Sequence, residues 1–446
     1  MPQNADSILL PQWIIPVESA GDGGDRVLEN HALVIDKGRI IDLLPIEKAT
    51  AQYQSANIVE LPSQALIPGL VNAHTHAAMS LMRGLADDLP LMEWLEGHIW
   101  PAEARLVKED FVRDGVTLAA AEMLRSGTTC FNDMYFFPDV IADTASRIGI
   151  RACVGLILLD FPTIWAATAD EYLDKGIAVH DRYKSHPLIT TAFAPHAPYT
   201  VSDEPLKKAS SMAFEMDIPL HMHVHETAFE VSDAESNSGK RPLSRLDDLG
   251  LLNPQMLAVH MTQLNDGEIQ RCAEAGLHVI HCPQSNLKLA SGFCPVDKLQ
   301  KAGVNVALGT DGAASNNDLD MLAEMQSAAL LTKAVSQDAS ALPAHAALHM
   351  ATLAGAQALG LADEIGSLTI GKAADITAID LSDIETQPVF DPVSQIVYST
   401  GREQISNVWV AGQRLLNNRE LTSIDQHDIL QKAYKWGEKI GQADDE

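Results

Sequence analysis

The sequence is poor in cysteine, short of positive charge and without a long apolar run. Its five cysteines (Cys130, Cys153, Cys272, Cys282, Cys294) are odd in number, scattered, and form no CxxC pair. That pattern excludes a disulfide framework and a thiolate zinc site. No apolar run approaches the ~18–20 residues that a membrane-spanning helix needs. The opening stretch MPQNADSILLPQWIIP has no basic region ahead of its apolar residues, so no secretory signal is expected and the cytoplasm is the default location. Lys and Arg total 31 against 60 Asp and Glu, a formal net charge of −29. Such a charge repels a nucleic-acid backbone and an anionic membrane, so neither is an expected partner. No GxGxxG or GxxxxGKS string follows any apolar run, and there is no internal repeat.

What is present reads as a large globular fold. Hydrophobic residues make up 46% of the 446 and charged residues 20%, which argues against disorder. Short apolar, β-branched or aromatic runs at 65–76, 128–134, 151–159, 189–198, 219–226, 256–262, 278–285 and 305–312 read as strands. Helical periodicity fills the gaps at 107–125, 139–148, 169–183, 204–216, 266–275 and 319–335. Eight strand-then-helix units over about 250 residues match a closed parallel (β/α)8 TIM barrel. A doubly wound open sheet is the rival, but it would carry a glycine-rich phosphate loop after its first strand. Here the first strand ends in NAHTH.

The flanks alternate apolar and polar positions instead. Residues 27–61 are broken by the turn DKGR and residues 373–415 by AGQR, and both read as strands and hairpins. The expected organisation is a small β-sandwich built from both ends of the chain, residues 1–66 and 372–446, around a metal-dependent barrel of residues 67–371. Residues 425–446 read as a polar C-terminal helix and tail.

Several of the 16 histidines fall where barrel strands end. A period-2 pair, His74 and His76, points both rings to one side at the C-terminal mouth of the barrel. The fifth strand ends PLHMHVHET, and alternation faces His221, His223 and His225 one way; spacing alone does not say which is a ligand. His223 and Glu226 form an HxxE pair, whereas His221 and His225 read better as a buried ladder bonded to neighbouring strands. The sixth strand offers His260, the seventh His278 and His281. The eighth ends LGTDGAASNN, with Asp311 at the mouth and small residues after it. His74, His76, His223 and Asp311 thus converge from strands one, five and eight. Three imidazoles and a carboxylate suit Zn²⁺ or Fe²⁺ with one position left open, the mark of a catalytic site.

The strings PGLVNAHTHAAMSLMRGLADDLPLMEWL, HVHET, AVH, HCPQSNLKLASG and LGTDGAASNN resemble the amidohydrolase superfamily. Within it they are most similar to the 5′-methylthioadenosine/S-adenosylhomocysteine deaminases, from about residue 10 to residue 430. The resemblance implies the barrel and the two-ended sandwich. It also implies one Zn²⁺ per chain, with Fe²⁺ or Mn²⁺ as alternatives, held by His74, His76, His223 and Asp311. Members with two metals place a carboxylated lysine at the end of the fourth strand, where this chain has FAPHAPYT, so a mononuclear site is expected. At matching positions Asp311 orients the water and takes its proton, Glu226 hands a proton to the purine N1, and His260 hydrogen-bonds the attacking oxygen. Glu103 matches a residue that binds the ribose hydroxyls, Trp94 an aromatic flanking the nucleoside, and His196 a substrate-contacting histidine. Otherwise Glu103 is an ordinary helix acid and Trp94 simply core. A homo-oligomer acting on a small purine nucleoside is expected.

The tail of the substrate is read from residues 152–174, which contain no Lys or Arg and present Leu156, Ile157, Phe161, Ile164 and Trp165. A site for the α-carboxylate of S-adenosylhomocysteine would offer a cation. The apolar segment therefore favours 5′-methylthioadenosine. Guanine- or triazine-type aminohydrolases of the same superfamily are the nearest alternative, and a catalytically silent barrel scaffold a more distant one.

Overall fold

The computed structural model describes residues 2–18 and 26–441. Eight strands, β1 (Leu70–Thr75), β2 (Thr128–Asp133), β3 (Arg151–Leu158), β4 (Ile189–Pro195), β5 (Leu220–Val224), β6 (Met256–His260), β7 (His278–His281) and β8 (Asn305–Leu308), pair in parallel, each with the next. The ring closes at its C-terminal rim between β8 and β1. There the Asp311 amide donates to the His74 carbonyl (3.0 Å). Asn72 bridges to Thr310, accepting from its amide (3.0 Å) and donating to its hydroxyl (2.8 Å). Close approach at this seam needs Gly309: a Cβ there would lie 2.8 Å from the His74 nitrogen.

The barrel is filled by small and branched apolar side chains, among them Val71, Ala73, Cys130, Cys153, Ala192, Leu257, Val259, Ile280 and Ala307, all fully buried. Two of the cysteines are thus packing residues, and all five are buried free thiols. The expected helices form at Glu109–Arg125, Pro138–Ile148, Ala169–Tyr183, Asp203–Met216, Asp266–Ala275 and Met321–Ser336. Local chemistry sets their starts: Thr168 caps the third, and Asn265 with Glu268 makes a capping box on the fifth. No described helix is long and apolar enough to cross a membrane.

A nine-stranded sheet draws on both ends of the chain. Its order runs Glu420–Leu421, Gln413–Asn417, Ile405–Val410, Ile376–Asp380, Ile58–Pro68, Ser7–Ile14, His31–Asp36, Arg39–Pro45, with Leu28–Glu29 paired to Ser7–Ile14. The two ends meet where Ile376–Asp380 runs antiparallel to Ile58–Pro68. Both expected turns are hairpins with two left-handed residues, Lys37 (φ 49°) and Gly38 (φ 75°), then Ala411 (φ 46°) and Gly412 (φ 76°).

Several expected elements need correction. The run 65–76 is not one strand: Ile58–Pro68 belongs to the terminal sheet and β1 starts at Leu70. Strand β7 stops at His281 because Pro283, which cannot donate to a ladder, opens the helix Pro283–Lys288. Within 373–415, Pro392–Ser399 is a helix, capped by Asp391 through the amides of Val393 and Ser394. Ile46–Gln52 is likewise a helix inside the 27–61 segment. The C-terminal helix spans Gln426–Gly441, and the tail expected at 442–446 lies outside the described residues.

Arg151, at the start of β3, joins the barrel to the C-terminal arm. Its guanidinium makes a two-pronged pair with Asp375 (Nε to Oδ2 3.0 Å, Nη2 to Oδ1 3.1 Å) and donates to the Pro187 carbonyl (2.9 Å). Asp375 in turn accepts from the Ala411 amide (2.7 Å), and its carbonyl takes the Gly69 N–H (3.0 Å). Both side chains are buried, so Asp375→Ala leaves an uncompensated cation, expected to cost about 3–5 kcal/mol. Chemical denaturation of the variant beside wild type checks this; a loss below about 1 kcal/mol would contradict it.

Candidate active site

Four donors meet at the C-terminal mouth of the barrel. His74 is in β1, His76 just beyond it, His223 in β5, and Asp311 after β8. Their ligating atoms all lie within 4.8 Å of one another. Asp311 Oδ1 is 3.2 Å from Nε2 of both His74 and His76, and His223 Nε2 is 3.2 Å from His74 Nε2. Tetrahedral coordination with bonds of ~2.0–2.1 Å puts neighbouring ligand atoms ~3.4 Å apart, close to this spacing. The donor set therefore fits one divalent cation.

Each donor is aimed by a contact on its far side, the arrangement that metal-binding histidines usually show. His76 Nδ1 donates to the Met134 carbonyl (2.6 Å) and His223 Nδ1 to the His196 carbonyl (2.7 Å), which leaves both Nε2 lone pairs facing the cluster. His74 Nδ1 instead lies 2.9 Å from His221 Nε2. Asp311 Oδ2 accepts from the hydroxyls of Ser285 (2.6 Å) and Ser315 (2.7 Å), so only Oδ1 is turned to the imidazoles. Burial acts to raise the Asp311 carboxyl, yet its close contacts with the His74 and His76 imidazoles hold it well below the usual range. Asp311 has φ 62° and His260 φ 73°, left-handed backbone uncommon outside glycine and a form of strain found at functional sites.

Glu226 follows β5 and is held by its own neighbours. Its amide donates to Glu230 Oε2 (2.7 Å), the His225 amide donates to Glu230 Oε1 (3.1 Å), and Thr262 Oγ1 donates to the Glu226 carbonyl (2.7 Å). Thr227 caps the helix that supplies Glu230. Burial pushes the Glu226 carboxyl up, with His260 opposing. His260 ends β6; its Nδ1 lies 2.9 Å from Asn286 Oδ1 and its Nε2 3.7 Å from Glu226 Oε2.

These groups share a cavity of about 770 Å³ with Trp94, Glu103, Tyr135, His196, Tyr199 and Ser315. Every expected catalytic, metal-binding and nucleoside-contacting residue is in its lining except His74, which is fully buried behind it. His196 is held neutral, its pKa pushed down to about 3 by burial and by the neighbouring His76 and His74. Among the described residues no Lys or Arg lines this cavity.

Other expectations fail for clear reasons. Alternation faces His221 inward but not His225: β5 ends at Val224, the chain turns left-handed (φ 53°), and the His225 ring accepts from the Leu243 amide (3.1 Å). His278 and His281 do not line the cavity. Of the apolar tail residues, Ile157, Phe161 and Ile164 line it; Leu156 packs against Gly176 and Trp165 against Tyr172. Sequence reasoning missed Tyr135, whose hydroxyl donates to Glu103 Oε1 (2.7 Å), and Ser285, Asn286 and Ser315. The strings HCPQSN and DGAAS carried the last three, and TAFE carried the Thr227–Glu230 cap.

A profile of the amidohydrolase family matches residues 65–415. The chain belongs to this family. The amidohydrolase is 50% identical over 436 residues to the "5-methylthioadenosine/S-adenosylhomocysteine deaminase" of Teredinibacter turnerae, covering 98% of each chain. It superposes with a TM-score of 0.97 and 51% identity on a zinc-bound adenosine deaminase from Xanthomonas campestris, over 99% of this chain and 100% of that one. An atrazine chlorohydrolase from Arthrobacter aurescens shares the fold at 23% identity and TM-score 0.88, covering 96% and 99%.

The wall of the amidohydrolase cavity carries a testable ionisation. Burial pushes the Glu103 carboxyl from 4.5 up to about 7, against the opposing pull of Tyr135 and His76. The folded protein therefore holds this proton more tightly than the unfolded chain does. The resulting stability is full below pH 4.5 and is lost as pH rises through about 7. Glu103→Gln should flatten that part of the stability–pH curve; an unchanged slope between wild type and variant would contradict the shift.

Proposed function

We propose that the protein hydrolyses the 6-amino group of an adenine nucleoside, with 5′-methylthioadenosine favoured and S-adenosylhomocysteine a poorer substrate. The carrying observation is one cavity lined by His76, His223, Asp311, Glu226 and Glu103, with the fourth donor His74 buried directly behind it, and by no cationic side chain among the described residues. The relatives' names supply the nucleoside class, and the cavity chemistry supplies the tail preference. A carboxylate tail would meet Glu103, Glu226 and Asp311 with no Lys or Arg to pair it. The thioether of methylthioadenosine needs only an apolar wall such as Ile157, Phe161 and Ile164 offer.

Zinc is the ion assigned, on the imidazole-rich donor set and on the zinc of the Xanthomonas campestris relative, with His74, His76, His223 and Asp311 as its ligands. Bound there, it would supply Lewis acidity that lowers the pKa of water from ~15.7 toward ~7. Water adds at C6, its proton passing to Asp311, whose Oδ2 is already steadied by Ser285 and Ser315. Glu226 gives a proton to N1, which its raised carboxyl pKa suits. His260, oriented by Asn286, hydrogen-bonds the oxygen as C6 becomes tetrahedral. The C6–N6 bond then breaks, the proton held by Asp311 leaves with ammonia, and the C6 hydroxyl proton returns to Glu226 as the 6-oxo product, still protonated at N1, forms. Glu103, held by Tyr135, accepts from the ribose hydroxyls; Trp94 and His196 flank the nucleoside.

Glu226→Gln should lower kcat by ~10²–10⁴-fold while the metal content of the purified protein stays at the wild-type level. Loss of metal in that variant would make Glu226 a ligand instead. Ammonia release from methylthioadenosine, S-adenosylhomocysteine, adenosine and guanine, run side by side on zinc-loaded enzyme, tests the substrate. Methylthioadenosine should lead. Equal rates on S-adenosylhomocysteine would overturn the tail argument, and release from guanine alone would move the protein to the base deaminases.

A further inference from the structure

His74 differs from the other two imidazoles in what stands behind it. His76 and His223 each point Nδ1 at a main-chain carbonyl, which accepts and fixes the tautomer outright. Behind His74 there is a second imidazole, His221, with Nε2 2.9 Å from His74 Nδ1. Behind His221 is an amide, Asn132 Nδ2, 3.3 Å from His221 Nδ1. All three side chains are fully buried inside the barrel, on β1, β5 and β2.

A neutral imidazole carries one proton, so these contacts constrain one another. His74 offers its Nε2 lone pair to a cation only when its own proton sits on Nδ1. His221 Nε2 must then accept that proton's hydrogen bond, which puts the His221 proton on Nδ1, facing Asn132. Asn132 is a residue type able to answer it, because a side-chain amide has a donor at one end and an acceptor at the other. Its Nδ2 donates to the Ala73 carbonyl (2.9 Å), while its Oδ1 is buried with no hydrogen-bond partner among the described residues. A half-turn of the amide brings that acceptor onto His221 Nδ1 and gives up the bond to the Ala73 carbonyl. A carbonyl behind His74 would need no such adjustment.

We infer that His221 and Asn132 form a positioning relay that sets the tautomer of His74 and, through it, the affinity of the site for its cation. The inference rests on the reading of His74 as a ligand, and neither residue touches substrate. His221 is thus a ring that accepts for the metal centre from inside the barrel, and the sequence pattern HMH on β5 supplies a ligand (His223) and its neighbour's support (His221) from one strand face.

The test is the zinc dissociation constant of the full-length chain, measured by competition with a chromogenic chelator. His221→Leu removes the acceptor and should weaken binding by about 10- to 100-fold, the usual effect of losing a partner behind a metal ligand. His221→Gln removes the same ring but keeps an acceptor oxygen, and should recover most of the affinity. If neither variant folds, Asn132→Leu should weaken zinc binding while Asn132→Asp, a pure acceptor, does not. Nitrogen-15 shifts of the histidine rings should show His74 protonated at Nδ1 in the zinc-loaded protein. Wild-type affinity in His221→Leu, or equal losses in the Leu and Gln variants, overturns the relay and leaves the proposed deaminase intact. A wild-type chain that takes up no zinc overturns the metal-site reading and the relay together.

Discussion

Aiming three imidazole lone pairs and a carboxylate oxygen at one point, within 4.8 Å, is unfavourable by itself. The groups are buried, the lone pairs repel, and nothing local to any one residue compensates. Such an arrangement persists only if the surrounding structure over-determines it, and much of the barrel's C-terminal rim serves that end. The seam between β8 and β1 is closed by backbone and Asn72 contacts that bring Asp311 against His74. Gly309 is there because a Cβ would collide with β1. Carbonyls of Met134 and His196, the His221 ring and two serine hydroxyls hold the four donors from behind.

The cavity above this cluster has a matching logic. Its acids are used in place: Asp311 among the imidazoles, Glu226 locked through the Glu230 carboxylate, Glu103 against Tyr135. Burial raises the Glu226 carboxyl while the imidazoles hold Asp311 down, which suits the proposed pairing of a proton donor with a proton acceptor. Among the described residues no cation lines this wall, and the proposed preference for an uncharged tail rests on that.

The fold was legible because its periodicities are strong: eight apolar runs with helices between them, and terminal segments that alternate. The donors were legible because strand alternation and strand ends are local properties. His225 was misread for the same reason, since alternation holds only while the strand lasts and β5 ends one residue earlier. The Pro392–Ser399 helix was hidden because the short apolar run Ile396, Val397, Tyr398 does not distinguish a short helix from a strand; the Asp391–Pro392 start was the missed cue. Leu156 faces outward because its strand neighbour Ile157 faces in. Tyr135, Ser285 and Asn286 act on other side chains from distant segments, and such pairings are set by tertiary geometry that no spacing encodes.

The central claim is that one cation is held by three histidines and one aspartate of this chain. Anomalous X-ray scattering at the zinc edge, on crystals of the purified zinc-loaded protein, measures it directly. The account predicts a single strong peak per chain, within ~2.0–2.2 Å of His74, His76 and His223 Nε2 and Asp311 Oδ1. A peak elsewhere, two peaks at the barrel mouth, or none at these four atoms would contradict it.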